Sequence, residues 1–134
     1  MPPIELLSRV LADVPAVRLA VLFGSAARGQ AGSRSDLDVG VDLDGGPEAL
    51  SRLAVRLGRE TGHEVDLVSL REAPPLLRFE IARDGVVLVE RAPNAWADFR
   101  ARAMTDWWDW APTARIMHAA ALDRLRTGLA HGPA

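Results

Sequence analysis

The sequence predicts an α/β domain with a mixed four-stranded sheet covered by helices and a C-terminal helical arm. Up to residue 93, short apolar runs alternate with segments whose apolar positions recur at helical spacing. From residue 94 onward the spacing is helical alone. A chain of 134 residues can build one domain with its own core. We therefore expect a single domain over residues 1–134, with its core in 1–93 and its C-terminal helices in 94–131.

In the first half, an apolar strand follows an amphipathic helix and leads into a glycine turn. The strand is almost continuously apolar, which is typical of a strand buried on both faces. The predicted elements are a helix over residues 4–11 that ends before Pro15, a strand over 17–23, a Gly24-Ser25 turn that opens a short helical run, a polar loop over 30–35, a strand over 36–43 and a helix over 48–60.

In the second half, two strands and a helix complete the sheet, and a helical arm follows. Asn94 can cap the first helix of this arm, and Pro112 is expected to bend or restart it. The predicted elements are a strand over 63–70, a helix over 76–83 opened by Pro74-Pro75, a strand over 86–90, a helix from 95 towards 110 and a further helical stretch over 113–129.

Composition and charge exclude several classes of protein. The chain is 49% hydrophobic and 25% charged, as in ordinary globular domains. Its formal charge of −2 argues against a broad electrostatic grip on nucleic acid, so no direct nucleic-acid partner is expected. The absence of cysteine excludes disulfides and cysteine-ligated zinc. Because no signal sequence or membrane-spanning run is recognisable, we expect a cytoplasmic protein without a membrane partner.

Two aspartates at the start of the second strand are the first candidate catalytic residues. Asp36 and Asp38 alternate with Leu37 and Val39, so they lie on one face, about 6.6 Å apart along the strand. Two carboxylates about 4 Å apart repel by about 4 kcal/mol at an effective dielectric constant near 20. The pair therefore needs a proton or a cation. Oxygen ligands favour Mg²⁺ or Mn²⁺, and two such ions can serve a phosphoryl displacement.

The Gly24-Ser25 turn is the candidate phosphate site. Glycine lets backbone N–H groups approach an anion, and Ser25 opens a helical run whose N-terminus favours negative charge. Arg28 lies one helical turn further on, where a charge-assisted contact to phosphate is within reach. We therefore expect a polyphosphate between this turn and the aspartates.

Asp66 is the third candidate carboxylate. It lies between Val65 and Leu67 in the third predicted strand. A carboxylate among apolar neighbours has a raised pKa unless a cation or donor lies against it. This setting suits a metal ligand and a base for an incoming hydroxyl. The alternative is an exposed face of an edge strand.

These motifs resemble those of the DNA polymerase β-like nucleotidyltransferases. The resemblance rests on Gly24-Ser25, ten intervening residues and Asp36-Leu37-Asp38, with Asp66 matching the third carboxylate of the family. Ala27-Arg28-Gly29 and Ser35 to Asp38 resemble the small prokaryotic branch, the minimal nucleotidyltransferases, which act as antitoxins beside HEPN-domain toxins. Ala26 departs from relatives that carry a larger or basic residue there, which affects one phosphate or base contact.

The resemblance implies a reaction and a partner. Asp36, Asp38 and Asp66 would ligate two Mg²⁺ ions, and AMP would pass from ATP to a tyrosine of a cognate HEPN ribonuclease toxin, which the modification silences. One alternative is a small-molecule acceptor, as in antibiotic nucleotidyltransferases, although those usually carry a larger helical domain. Another alternative is a noncatalytic neutraliser that binds its partner through the C-terminal helices.

The C-terminal helices contain a candidate interaction surface. Trp107 and Trp108 point about 100° apart around a helix, so one of them is hard to bury. Large aromatic residues and methionines are favoured at protein interfaces. Two hypotheses remain here: Trp108 and Met117 contribute to self-association or toxin binding, or they pack within the chain.

Overall fold

The computed structural model describes residues 2–29 and 36–130. It contains nine elements, and their order along the chain matches the predicted alternation. The elements are α1 (Pro3–Ala12), β1 (Val17–Phe23), α2 (Gly24–Ala27), β2 (Leu37–Leu43), α3 (Gly46–Thr61), β3 (Val65–Ser69), α4 (Pro75–Asp84), β4 (Val86–Glu90) and α5 (Ala95–Ala130). The predicted polar loop over 30–35 lies outside the described residues.

The four strands form one mixed sheet in the order β3-β2-β1-β4. β1 pairs antiparallel with β2 and with β4, and β2 pairs parallel with β3. The predicted fold class is therefore confirmed. Because β1 lies inside the sheet, five of its seven residues are buried, as its continuous apolar sequence predicts.

Helices cover both faces of the sheet. On one face, α1 and α3 pack over a core that includes Leu7, Leu11, Val39 and Leu57, all of them buried. On the other face, α4 and the first half of α5 cover a smaller core built on Leu19, Val21, Leu70 and Ile81. The aspartate face of β2 is on this second side, since a β-carbon at Gly40 would lie 2.6 Å from Leu70 Cδ2.

Proline and glycine set several helix ends. A proline occupies one of the first two positions of α1, α3 and α4, where the missing N–H has no intrahelical partner to lose. Gly62 ends α3 with a φ of +71°, a left-handed conformation that glycine adopts without strain. These ends match the predicted boundaries within a few residues.

The C-terminal arm corrects one prediction and adds a contact that the sequence did not indicate. The prediction that the helix restarts at Pro112 is wrong, because α5 is assigned as one helix from Ala95 to Ala130 with Pro112 inside it. Proline removes one hydrogen bond, and the surrounding turns keep theirs. In the first turn of α5, the backbone N–H of Trp96 donates a hydrogen bond to Glu90 Oε2 at 2.9 Å. Asn94, just before the helix, has a φ of 60°. Asparagine tolerates that left-handed conformation better than most residues.

In residues 2–29 and 36–130, no helix is both long enough and apolar enough to cross a membrane.

Candidate active site

Strand register brings two of the predicted carboxylates side by side. Asp38 of β2 pairs with Asp66 of β3 in the parallel ladder, and with Phe23 of β1 on its other side. Residues directly opposite each other in neighbouring strands point to the same face, with the strands about 4.8 Å apart. Asp66 therefore lies on the same face of the sheet as Asp38. It is also exposed on an edge strand, as the alternative described, so its catalytic role stays a prediction.

Asp36 lies immediately before β2 and is exposed. Its proximity to Asp38 is visible in the electrostatics. Burial raises the pKa of the Asp38 carboxyl above its ordinary value, and the negative charges of Asp66 and then Asp36 raise it further. The charges of Asp66 and Asp36 thus both act on Asp38 at this edge of the sheet, which we call the aspartate edge.

Gly24 brings the predicted phosphate turn against the aspartate edge. Its φ is +73°, and a β-carbon at this position would lie 2.3 Å from Asp38 Oδ2. Any side chain would therefore meet both a strained backbone and an occupied space. The backbone of the turn lies close to the carboxylate because residue 24 is glycine.

Ser25 and Arg28 lie on the same short element. Ser25 is half-buried in α2, which is a single helical turn, and Arg28 ends that turn with an exposed side chain. The positive charge of Arg28 contributes to lowering the pKa of Asp84, after the larger effect of Arg83. Arg28 therefore lies close enough to α4 for its charge to act on Asp84, and its predicted phosphate contact stays a prediction.

The donor set at the aspartate edge fits a divalent cation in its chemistry, because carboxylate oxygens are the ligands that such ions prefer. Three carboxylates lie in one region, and the backbone of the turn approaches them without a side chain at Gly24. Among the described residues, no three histidine or acidic side chains are already gathered closely enough to hold one ion. Cation binding therefore requires the aspartate side chains to turn towards one another, and the charge of the cation would offset the carboxylate repulsion that, after burial, raises the pKa of Asp38.

Sequence analysis missed a group of arginines at the far end of β2. Arg71 forms an ion pair with Asp42, with 2.7 Å between Arg71 Nε and Asp42 Oδ1. Arg18 and Arg78 line the same region. The alternation that placed Asp38 on one face of β2 also places Asp42 there, but only the folded chain brings the arginines from β1, α4 and α5 to it.

An antiparallel and parallel sheet of this order, with carboxylates from neighbouring strands beside a glycine turn, is the architecture of a nucleotidyltransferase. Residues 5–94 match the family described as polymerase beta nucleotidyltransferase, and the chain belongs to that family. The predicted resemblance and enzyme class are therefore confirmed.

Named relatives lie in one branch of this family. The chain is 30% identical over 112 residues to the protein adenylyltransferase MntA of Aphanizomenon flos-aquae (strain 2012/KM1/D3), covering 75% of each protein. It also resembles a chain in the crystal structure of a toxin-antitoxin with AMP-PNP, with a TM-score of 0.75, 24% identity, and coverage of 90% of this chain and 99% of the other.

A third similarity is to a structure of a tri-AMPylated HEPN toxin from Shewanella oneidensis in complex with an MNT antitoxin. Its TM-score is 0.70 at 23% identity, and it covers 89% of this chain and 96% of the matched chain. At these identities the two structural similarities establish the shared fold, which extends over most of the chain, including part of α5.

Proposed function

We propose that this protein transfers AMP from ATP to a tyrosine hydroxyl of a cognate HEPN toxin in the cytoplasm and thereby neutralises the toxin. The observation that carries the proposal is the pairing of Asp38 with Asp66 directly beside Gly24. The adenylyltransferase MntA and the AMPylated toxin complex among its relatives support the choice of AMP and of a HEPN partner.

The nucleotide is held between the turn and the aspartate edge in this proposal. The Gly24 and Ser25 backbone and the Ser25 hydroxyl bind the β- and γ-phosphates, and Arg28 approaches the same phosphates. Asp36 and Asp38 would ligate two divalent ions, with Mg²⁺ expected and Mn²⁺ a substitute, and Asp66 would hold the ion that activates the acceptor oxygen. Bound cations supply neutralisation of the triphosphate charge and lower the pKa of the acceptor hydroxyl.

The transfer is an in-line displacement at the α-phosphorus. The acceptor oxygen forms a bond to the α-phosphorus while the bond between that phosphorus and the bridging oxygen breaks, so that pyrophosphate leaves. Asp66 accepts the proton of the acceptor hydroxyl. The aspartates position the reacting groups and no covalent enzyme intermediate is needed. Because the chain contains no tyrosine, the acceptor tyrosine belongs to another molecule.

The partner contacts α5 in this proposal. Trp108 is 74% exposed and Met117 is 61% exposed, while Trp107 stacks on Phe79 of α4 with ring centroids 5.1 Å apart. The helix therefore packs on the domain at least as far as Trp107 and exposes apolar side chains from Trp108 onward. These exposed apolar side chains favour a protein acceptor over a small molecule such as an antibiotic.

The mass of the toxin tests the proposal. The purified chain is incubated with ATP, Mg²⁺ and a candidate HEPN protein, and the intact mass of that protein is measured. We expect added AMP groups on tyrosine, and their loss in Asp36→Ala and Asp38→Ala variants that still bind the toxin. Asp44→Ala, an exposed aspartate at the other end of β2, is the matched control. Neutralisation with no added mass would establish the noncatalytic alternative instead.

A further inference from the structure

A cavity lies on the sheet face that carries the aspartate edge, at the opposite end of the strands. It has a volume of about 570 Å³ and lies between the end of β2, the start of α4 and the first turns of α5. Pockets of this size hold ligands as large as a mononucleotide. Because four of its lining residues are arginines, we call it the arginine cavity.

Packed side chains separate the arginine cavity from the aspartate edge. Asp42 lines the cavity and lies four residues from Asp38 on β2, which is about 13 Å along a strand. Between them, Gly40 is covered by Leu70 and Ile81, which leave no room even for a β-carbon. A molecule in the cavity therefore cannot also contact the carboxylates of the aspartate edge.

The charge of the lining favours an anion. The arginines are Arg18, Arg71, Arg78 and Arg102, and the acidic residues are Asp42 and Asp98, so the lining has a formal charge of +2 in a chain whose net charge is −2. Arg71 pairs with Asp42, and Arg78 donates to Asp106 at 2.9 Å. Arg18 and Arg102 have exposed side chains and form no ion pair with the described residues.

Two buried polar atoms of the cavity lining lack hydrogen-bond partners among the described residues. They are the Nε of Arg78, a donor, and the Oδ1 of Asp42, an acceptor. Asp42 Oδ1 lies 2.7 Å from Arg71 Nε, but the pair lacks the alignment of a hydrogen bond, so the oxygen retains its capacity to accept. Buried polar groups are normally paired, so these two atoms would gain an acceptor and a donor from a ligand once the side chains that cover them move.

We propose that the arginine cavity binds a small phosphate monoester that carries hydroxyl groups, such as a nucleoside monophosphate. Arg18, Arg78 and Arg102 bind the phosphate, for which the planar guanidinium is well suited. Asp42 accepts from a ligand hydroxyl. Leu19, Leu70 and Phe99 supply the apolar part of the lining that an organic group requires.

Nuclear magnetic resonance tests the proposal, with AMP as the probe. The ¹⁵N-labelled full chain is titrated with AMP to about 10 mM in the presence of EDTA, a range that saturates even a millimolar site. We expect saturable shifts of the Arg78 Nε–H signal and of the Arg102 backbone amide. The Arg18→Ala/Arg102→Ala variant should bind AMP at least ~10-fold more weakly, because the free energy of one hydrogen bond to a charged group is enough to change the dissociation constant tenfold.

A matched double variant and a second anion complete the test. Arg9→Ala/Arg59→Ala removes two exposed arginines from the ends of α1 and α3, outside the cavity, and should leave the dissociation constant unchanged. Inorganic phosphate should bind more weakly than AMP, and equal affinity would overturn the assignment to a phosphate monoester. The site itself is refuted by shifts confined to Gly24–Arg28 and Asp38, by the absence of saturable shifts, or by unchanged affinity in the Arg18→Ala/Arg102→Ala variant.

Discussion

At the scale of single residues, the site depends on one glycine and one carboxylate in contact. Gly24 has the left-handed conformation at the end of β1, and Asp38 fills the space that a β-carbon at position 24 would take. A tenfold change in rate corresponds to about 1.4 kcal/mol, so a displacement of either group by a fraction of an ångström is enough to be measured.

Gly24→Ala should abolish AMP transfer, with at least a ~100-fold loss, because the new methyl group meets both the strained φ and the Asp38 carboxylate. Gly29→Ala is the matched control, since Gly29 has a φ of +70° and a β-carbon there would have nothing within 4 Å. Both variants are strained in the backbone, but only the first alters the site. Equal losses of activity in the two variants would show that backbone strain alone explains the effect.

The raised pKa of Asp38 predicts a pH dependence of stability without metal. The Asp38 carboxyl keeps its proton to a higher pH in the folded chain than in the unfolded chain, where its pKa is near 3.8. Stability is therefore lost as the pH rises from about 3.8 through the raised pKa. The Asp38→Asn variant lacks this pH-dependent loss. Chemical denaturation in EDTA should therefore show that its free energy of unfolding increases relative to that of the wild type as the pH rises through this range. The difference should persist at neutral pH.

Mg²⁺ with ATP should reverse that difference at neutral pH, because cations favour the ionised carboxylate. Asp84 provides a contrast, since hydrogen bonding to Arg83 lowers the pKa of its carboxyl. Asp84→Asn should therefore lose stability relative to the wild type as the pH rises towards 3.8, the opposite sign. A constant difference between Asp38→Asn and the wild type from pH 3 to 7 would contradict the electrostatic account.

At the scale of elements, the turn between α4 and β4 is a point of close packing on the face that bears the site. A β-carbon at Gly85 would lie 2.4 Å from the Ile81 carbonyl oxygen and 2.5 Å from Val21 Cγ1. The close approach holds α4 against β1 and brings Trp96 of α5 within 3.0 Å of the same point. Three elements therefore meet at one glycine.

Gly85→Ala should destabilise the fold by about 1–3 kcal/mol, the usual cost of overpacking. Gly58→Ala is the control, because it lies inside α3 with its nearest neighbour at 3.5 Å, where alanine favours the helix by about 0.5–1 kcal/mol. Urea denaturation of both variants measures the difference. A Gly85→Ala variant as stable as the wild type would show that α4 is free to move away from β1.

From Trp108 onward, α5 is unusual for a helix of a monomer. Its exposed apolar residues include Trp108, Ile116, Met117 and Leu125. Trp108 and Met117 are nine residues apart, which places them on opposite sides of the helix. A helix that is apolar on more than one side is typically buried among several neighbours, so we expect partner helices on more than one side of it.

Trp108→Ala should weaken assembly, either with a second copy or with the toxin, by at least ~10-fold, since a central aromatic anchor is typically worth about 2 kcal/mol or more. Analytical ultracentrifugation of the variant, alone and with the toxin, measures this. Val55→Ala, which truncates a side chain on α3 that is 58% exposed, is the matched control. Assembly unchanged by Trp108→Ala would favour the alternative that this tryptophan has no interface role.

At the scale of the whole molecule, local signals predicted the sheet and long-range contacts escaped prediction. The apolar runs of β1 and β4 and the glycine and proline punctuation are visible in sequence, and both strands have the predicted bounds. The spacing of Gly24, Asp36 and Asp38 is a local signal of the same kind, and the fold places Gly24 against Asp38, while the roles of these residues stay predictions. By contrast, Arg91 donates to the carbonyls of Ala12 and Val14, some 77 or more residues away, and no periodicity encodes such a contact.

The arginine cavity and the continuous α5 were missed for related reasons. Arg18, Arg71 and Arg102 lie on different elements and meet only in the folded chain. Pro112 has the sequence signature of a helix break, but its effect depends on whether the neighbouring turns keep their hydrogen bonds. Sequence patterns report local preferences, whereas these features depend on packing between distant segments.

Binding of Mn²⁺ in the presence of a nonhydrolysable ATP analogue tests the central claim most directly, because Asp66 must join Asp36 and Asp38 at one cation site. Calorimetric titration of the Asp66→Asn variant should show at least a ~10-fold loss of Mn²⁺ affinity, because one of the few charged ligands is removed. Asp44→Asn, an exposed aspartate beyond the end of β2, should bind as the wild type does. Wild-type affinity in Asp66→Asn would contradict the account.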